Sequence, residues 1–334
     1  MLRGSDARAA LRGALPGVGR LVLLGDIIEL RDGPIRDALA AAQPVLEELG
    51  AALAPDAEVV LVPGNHDHEL MAPWLARRAL EGDHAPFGLE TPLAWRSGEP
   101  LARIAQWLAP ARVRAAYPGV WLSREVYATH GHYLDLHTTV PLIERLGAGV
   151  MARIVGGPAP SDAEGYEAIL GPIYAWIHAL AQRPSRPRSA HSPSTQAWRV
   201  LNSSGRHHRV RRSVIRAVLP LAVRALGRGG LGELRADVST AQLRQAALAA
   251  MARVADHLAP GAREIVFGHT HRAGPLPGDA RAEWISPTGV RLINCGCWVH
   301  DPAYLGRDPS SSPYRPGFAV RLDDGAPELV NLLD

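Results

Sequence analysis

Four short blocks, far apart in the chain, carry side chains suited to holding divalent metal. They are Gly25-Asp26, Gly64-Asn65-His66-Asp67, His130-Gly131-His132 and Gly268-His269-Thr270-His271. Carboxylate, amide and imidazole donors without thiolate suit Mn²⁺, Fe or Zn²⁺ better than Ca²⁺ or a structural zinc. Two divalent ions about 3.5–4 Å apart can clamp an anionic substrate's oxygens and lower the pKa of a bound water. The one-residue gap in Gly-His-Thr-His lets two imidazoles from one tight turn reach adjacent ions.

Such residues need rigid elements behind them. Each block follows an apolar run: RLVLLGD, EVVLVPGNHD, EVYATHGH and EIVFGHTH. The blocks therefore fall where strands end and loops begin, which is where α/β folds collect chemistry. Hydrophobic patterning predicts strands at 20–24, 58–62, 125–129, 264–267 and 291–295. It also predicts a late pair, 317–322 and 328–332, joined at Asp323-Asp324-Gly325. Helical spacing marks 7–15, with Ser5 or Asp6 as its cap, and a run from Ile35 to Leu53 in which Pro44 is expected to kink or divide the helix. Short helical pieces are expected near 74–80 and 101–108 inside an otherwise patternless stretch, 73–121. Leu243, Ala247, Met251, Val254 and Leu258 mark a later helix. No internal repeat is visible.

The chain has 334 residues and 47% apolar content, enough for one large core or two small ones. All 36 basic residues are arginine, and the formal charge of +3 is too small to imply a nucleic-acid partner. The first residues, punctuated by Arg3, Arg8 and Arg12, form no secretory apolar segment, and no stretch is long and apolar enough to span a bilayer. Cys295 and Cys297, one residue apart, read as free thiols of a cytoplasmic protein rather than a structural disulfide.

In this order the blocks resemble the calcineurin-like metallophosphoesterases, whose pattern is Asp-x-His, Gly-Asp, Gly-Asn-His-Asp/Glu, His, Gly-His-x-His. The resemblance covers roughly 18–136 and 262–300. It implies an α/β fold, a two-sheet β-sandwich flanked by helices (four-layer αββα), with core segments 1–139 and 261–334 and a largely helical inserted cap at 140–260. It implies metal ligands Asp26, Asn65, His130, His269 and His271, with Asp26 bridging two ions, Asn65, His130 and His269 completing the second, and His271 serving the first. His66 would give a proton to the leaving oxygen, and Asp67 would orient it through the other ring nitrogen. Mn²⁺ is the leading metal, with Fe or Zn²⁺ as alternatives. The His-Gly-x block and the long insert are most similar to the branch containing UDP-2,3-diacylglucosamine pyrophosphohydrolases. The expected partner is a phosphorylated small molecule or a lipid-like substrate.

The Asp-x-His block of that pattern is not present. Asp6-Ala7-Arg8 is the only early candidate, and an arginine cannot ligate a metal. The first ion keeps only Asp26 and His271, so one tightly held ion is expected. This reading makes Met1 an unnatural start and expects an under-packed slot beside residues 20–24 and 58–62. The competing class is a catalytically degenerate binding protein on the same scaffold. A third is a nucleic-acid binder using the run RHHRVRR at 206–212. His132, Asp135 and His137 read equally as pocket-lining, as supports for the ligands or as structural residues; His68 reads as exposed, and His300 carries no assignment.

Overall fold

The β-branched runs do become strands. A computed structural model describes residues 5–82, 85–138, 160–182, 240–258, 261–300, 302–305, 308–323 and 325–334. In chain order the strands are β1 (Arg20–Leu24), β2 (Glu58–Val62), β3 (Glu90–Pro92), β4 (Arg112–Trp121), β5 (Val126–Thr129), β6 (Glu264–Phe267), β7 (Arg291–Asn294), β8 (Phe318–Arg321) and β9 (Glu328–Asn331). The longer helices are α1 (Ser5–Ala14), α2 (Ile35–Ala52), α3 (Ala72–Glu81), α4 (Pro100–Trp107), α5 (Ala163–Ala181) and α6 (Thr240–Leu258).

The main sheet runs β1-β2-β4-β5-β6-β7, with β3 added against β4, and β8 and β9 form a separate antiparallel pair. Pairing is parallel except where β4 meets β3 and β5. The long β4 changes partner along its length. Residues 112–115 run beside β2, 116–118 against β3 and 119–121 against β5. That exchange curls the sheet into a mixed α/β fold. It lies in the stretch 73–121, where the sequence carries no clean period. Pairing with three different neighbours gives β4 no single exposed face to record as an alternation.

The two faces of the sheet follow the two-residue period. Val59, Leu61, Ala115, Tyr117, Ile265 and Phe267 pack into the core formed with the helices. Val60, Val62, Ala116, Ala128 and Val266 face the other way, against Val320 and Leu322. Helices α5 and α6 lie within the expected insert, 140–260, yet both join the helix-side core through Tyr166, Leu170, Met251 and Val254. Residues 183–239 lie outside the described residues, and with them the loop 184–196, the basic run 206–212 and the apolar stretch 214–226.

Two expectations are corrected. Pro44 sits inside α2, which continues unbroken from Ile35 to Ala52. The packing of Leu39, Leu46 and Leu49 into the core outweighs the single helical hydrogen bond that proline forfeits. Ser5 and Asp6 occupy the first turn of α1, so Asp6 meets the positive end of the helix as a charge and not as the expected cap. The slot expected beside 20–24 and 58–62 does not lie between them, because β1 pairs directly with β2, and Val59 to Val62 are fully buried. The end strand β1 is only half-buried throughout, with no second strand neighbour among the described residues. No helix among the described residues is long and apolar enough to cross a membrane.

Candidate metal centre

The strands before the four blocks form two parallel groups, β1–β2 and β5–β6, joined through the curled β4, and their loops meet at Asp26 and His130. Asp26 follows β1, Asn65 and His66 follow β2, His130 follows β5, and His269 and His271 follow β6. Among the described residues, the non-glycine residues with positive φ are Asp26 (53°), His269 (60°) and His271 (63°). Each is an expected ligand, and strained backbone of this kind persists only where its surroundings hold it.

Asp26, His130 and His269 place ligand atoms within 4.8 Å of one another. The Asp26 Oδ2 lies 3.2 Å from His130 Nε2. Asn65 Oδ1, turned inward, is 3.2 Å from His130 Nε2 and 3.2 Å from His269 Nδ1. The outer ring nitrogens are occupied. His130 Nδ1–H donates to the Leu24 carbonyl at 3.0 Å, and His269 Nε2–H donates to Asp135 Oδ1 at 2.9 Å. Each imidazole therefore turns a lone pair inward, toward a carboxylate and an amide oxygen. Four acceptors converging without a donor among them require a proton or a cation between them. Donors bound about 2.1 Å from one ion sit roughly 3–3.4 Å apart, so the observed spacing fits.

The charges agree with this geometry. Burial alone would raise the Asp26 carboxyl, but His130 and His66 outweigh it and hold it well below the usual range. Burial alone would lower His130, and Asp26 reverses that shift. Asp26 thus favours positive charge at His130, the sign that a metal ion would bring there. His271 is pushed down to about 4 by burial, against the pull of Asp26, and so keeps a neutral ring. It lies outside the converging group, although Asp26 acts on it.

Close packing of backbone makes the convergence possible. Gly25 has φ 79°, and a Cβ there would collide with the His130 ring. A Cβ on Gly64 would lie 2.5 Å from Asp26 Oδ1 and 2.7 Å from His130 Cδ2. From β7, Asn294 steadies the Gly-His-Thr-His turn, donating to the Gly268 carbonyl at 2.9 Å and to Thr270 Oγ1 at 2.8 Å.

Asp67 does not orient His66. Its carboxylate accepts from the backbone amides of Gly64 (2.6 Å), Ile27 (2.7 Å), Asp26 (3.2 Å) and Ile28 (3.4 Å), tying the loop after β1 to the loop after β2. Burial and the neighbouring Asp26 push its pKa up to about 6, while those amides restrain the rise. The orienting group is Glu29, whose Oε2 is 2.5 Å from His66 Nδ1. That leaves His66 Nε2 facing Asp26 Oδ2 at 3.9 Å. Sequence reasoning missed Glu29. Its only trace is its place one turn past Asp26, and short-range spacing does not say which way a loop side chain points.

Asp67→Ala should destabilise the protein by several kcal/mol, about 1–3 for each buried amide left without an acceptor. Urea unfolding checks this; a cost under about 1 kcal/mol would show that water takes over the amides.

The remaining histidines resolve differently. His68, expected at the surface, is 4% exposed and pairs with Glu167 at 2.7 Å. His132 is buried against the Tyr117 hydroxyl at 3.0 Å, His137 pairs with Tyr166, and His300 is exposed. Asp135 holds His269, giving it the supporting role. Cys295 and Cys297 are free, and burial pushes both thiols up, to about 12 and about 11. Compared with known proteins, the chain matches no protein-family model and no curated protein.

Proposed function

We propose that this chain is a metal-dependent phosphoesterase of the metallophosphoesterase type, hydrolysing a phosphomonoester or phosphodiester. The observation that carries the reading is the convergence of Asp26, Asn65, His130 and His269 as inward acceptors with their outer atoms already bonded. Mn²⁺ is the preferred ion for this oxygen and imidazole set, with Fe or Zn²⁺ next. When bound, it would supply Lewis-acid polarisation of a phosphoryl oxygen and activation of water. Asp26, Asn65, His130 and His269 would hold it, and His271 would serve the other ion, shared through Asp26.

His66 is the proton donor in this reading. Burial alone would lower it, but Asp26 and Glu29 hold it up at about 9, so the ring carries a proton at neutral pH. Glu29 fixes one nitrogen and leaves the other facing the centre. A cation beside Asp26 would offset part of that field and bring His66 closer to neutrality, where a proton is more readily given up. We also infer a two-sheet arrangement completed over the far face by β8 and β9, a cap formed by the insert, and a cytoplasmic setting suited to the free thiols.

The test is hydrolysis of a generic aryl phosphodiester and an aryl phosphomonoester, with and without Mn²⁺. Turnover should require the ion, vanish with chelator and return on adding Mn²⁺. One observation favours the second reading, a binding protein without turnover: the four blocks give the ion that His271 would serve only Asp26 besides. Tight Mn²⁺ binding with no hydrolysis of either ester would select it.

A further inference from the structure

Behind the centre lies a chain of buried polar groups that the proposed reaction does not use. Glu167, on α5, reaches into the core with its side chain only a tenth exposed. Its Oε1 is 2.7 Å from His68 Nε2, and its Oε2 accepts from the Tyr117 hydroxyl at 2.8 Å. With that hydrogen committed, the Tyr117 oxygen accepts from His132 Nε2 at 3.0 Å. His68 lies three residues after Asn65, and His132 two residues after His130. One carboxylate therefore ends two arms, each on a loop that supplies a donor to the centre.

We propose that Glu167 is a positioning residue that sets the separation of the Asn65 and His130 loops, so that α5 is a working part of the metal centre. The proposal rests on the metal-centre reading. A buried carboxylate is costly to keep in a core, and apolar residues of similar volume often serve stability as well or better. Here both of its oxygens are committed to the two loops. The inward faces of those loops meet where Asn65 Oδ1 and His130 Nε2 are 3.2 Å apart, a separation that a metal reads to within tenths of an ångström. The helix is also shaped around the carboxylate. Gly171, one turn on, would collide with Glu167 Oε1 if it carried a Cβ. A glycine in mid-helix is otherwise unfavourable.

The experiment measures Mn²⁺ affinity and the visible spectrum of the Co²⁺ form in the full chain. Glu167→Gln should weaken Mn²⁺ binding by about tenfold or more, as loss of supporting groups does, and shift the Co²⁺ absorption bands. Gly171→Ala keeps every charge and introduces a better helix former, yet should move affinity and spectrum in the same direction by crowding the carboxylate. Leu170→Ala, a truncation at a fully buried position on the same helix, should lower Tm while leaving affinity and spectrum alone. Wild-type affinity and spectrum in Glu167→Gln would overturn the proposal, as would an equal loss of affinity in Leu170→Ala. Should Glu167→Gln fail to fold, Gly171→Ala decides: unchanged binding and spectrum overturn the proposal. Wild-type protein binding neither ion would remove the metal-centre reading and this proposal together. Tight wild-type binding with unmoved variants removes only this one.

Discussion

Asp26→Asn should remain folded yet lose both tightly held Mn²⁺ and phosphoester turnover. Asp26 brings the only formal negative charge among the four converging acceptors, and its Oδ2 faces both His130 and His66. Asparagine keeps the volume and one oxygen but removes that charge. A unit charge a few ångströms from a dication, in a partly desolvated site, is the largest electrostatic contribution available there, so affinity should fall by roughly a thousandfold or more. The acceptor for the His66 backbone amide, now 2.9 Å from Asp26 Oδ1, can be retained by the asparagine oxygen. Folding should therefore survive. Calorimetric titration with Mn²⁺ and an aryl ester assay check both losses. Undiminished Mn²⁺ affinity would mean that the ion binds elsewhere.

The second large effect separates proton transfer from metal binding. His66→Ala should keep Mn²⁺ affinity within a few-fold and reduce kcat by about 10²–10⁴, the usual worth of a positioned acid. Glu29→Gln should give a smaller loss of the same kind, because the ring loses its orienting carboxylate but not its proton-carrying nitrogen. Equal loss of metal in His66→Ala and Asp26→Asn would remove His66 from the acid role. The same residue predicts a pH effect in metal-free protein. Its pKa rises from 6.5 to about 9 on folding, so its contribution to stability is complete below about 6.5 and lost as the pH climbs through about 9. Urea unfolding at pH 7 and pH 9.5 should show that alkaline loss in wild type and a smaller one in His66→Ala.

How much of this was open to reading along the chain depended on range. Strands β1, β2, β6 and the β8–β9 pair lie where apolar runs and turn residues mark them, because a strand's sidedness is written in neighbouring residues. The same holds for the blocks themselves: Asp26, Asn65, His130 and His269 could be picked out by type and by position after a strand, and their ligand atoms do meet. Partner choice was not readable. Nothing local distinguishes Asp67, which holds four backbone amides, from Glu29, which holds the imidazole. His68 has the composition of a surface residue, and only the packing of α5, about a hundred positions later, buries it against Glu167.

By itself, then, the sequence determined the types of the elements outside 73–121 that carry a clear period, and the loops that carry the chemistry, because each depends on residues a few positions apart. The tertiary structure decided which carboxylate serves which histidine and how β4 divides its edges among three strands. It also decided that two helices inside the expected insert complete the main core. Those outcomes depend on the crossing of distant segments. A hydrogen bond is set by tenths of an ångström, and such precision arises only when close packing fixes several elements at once.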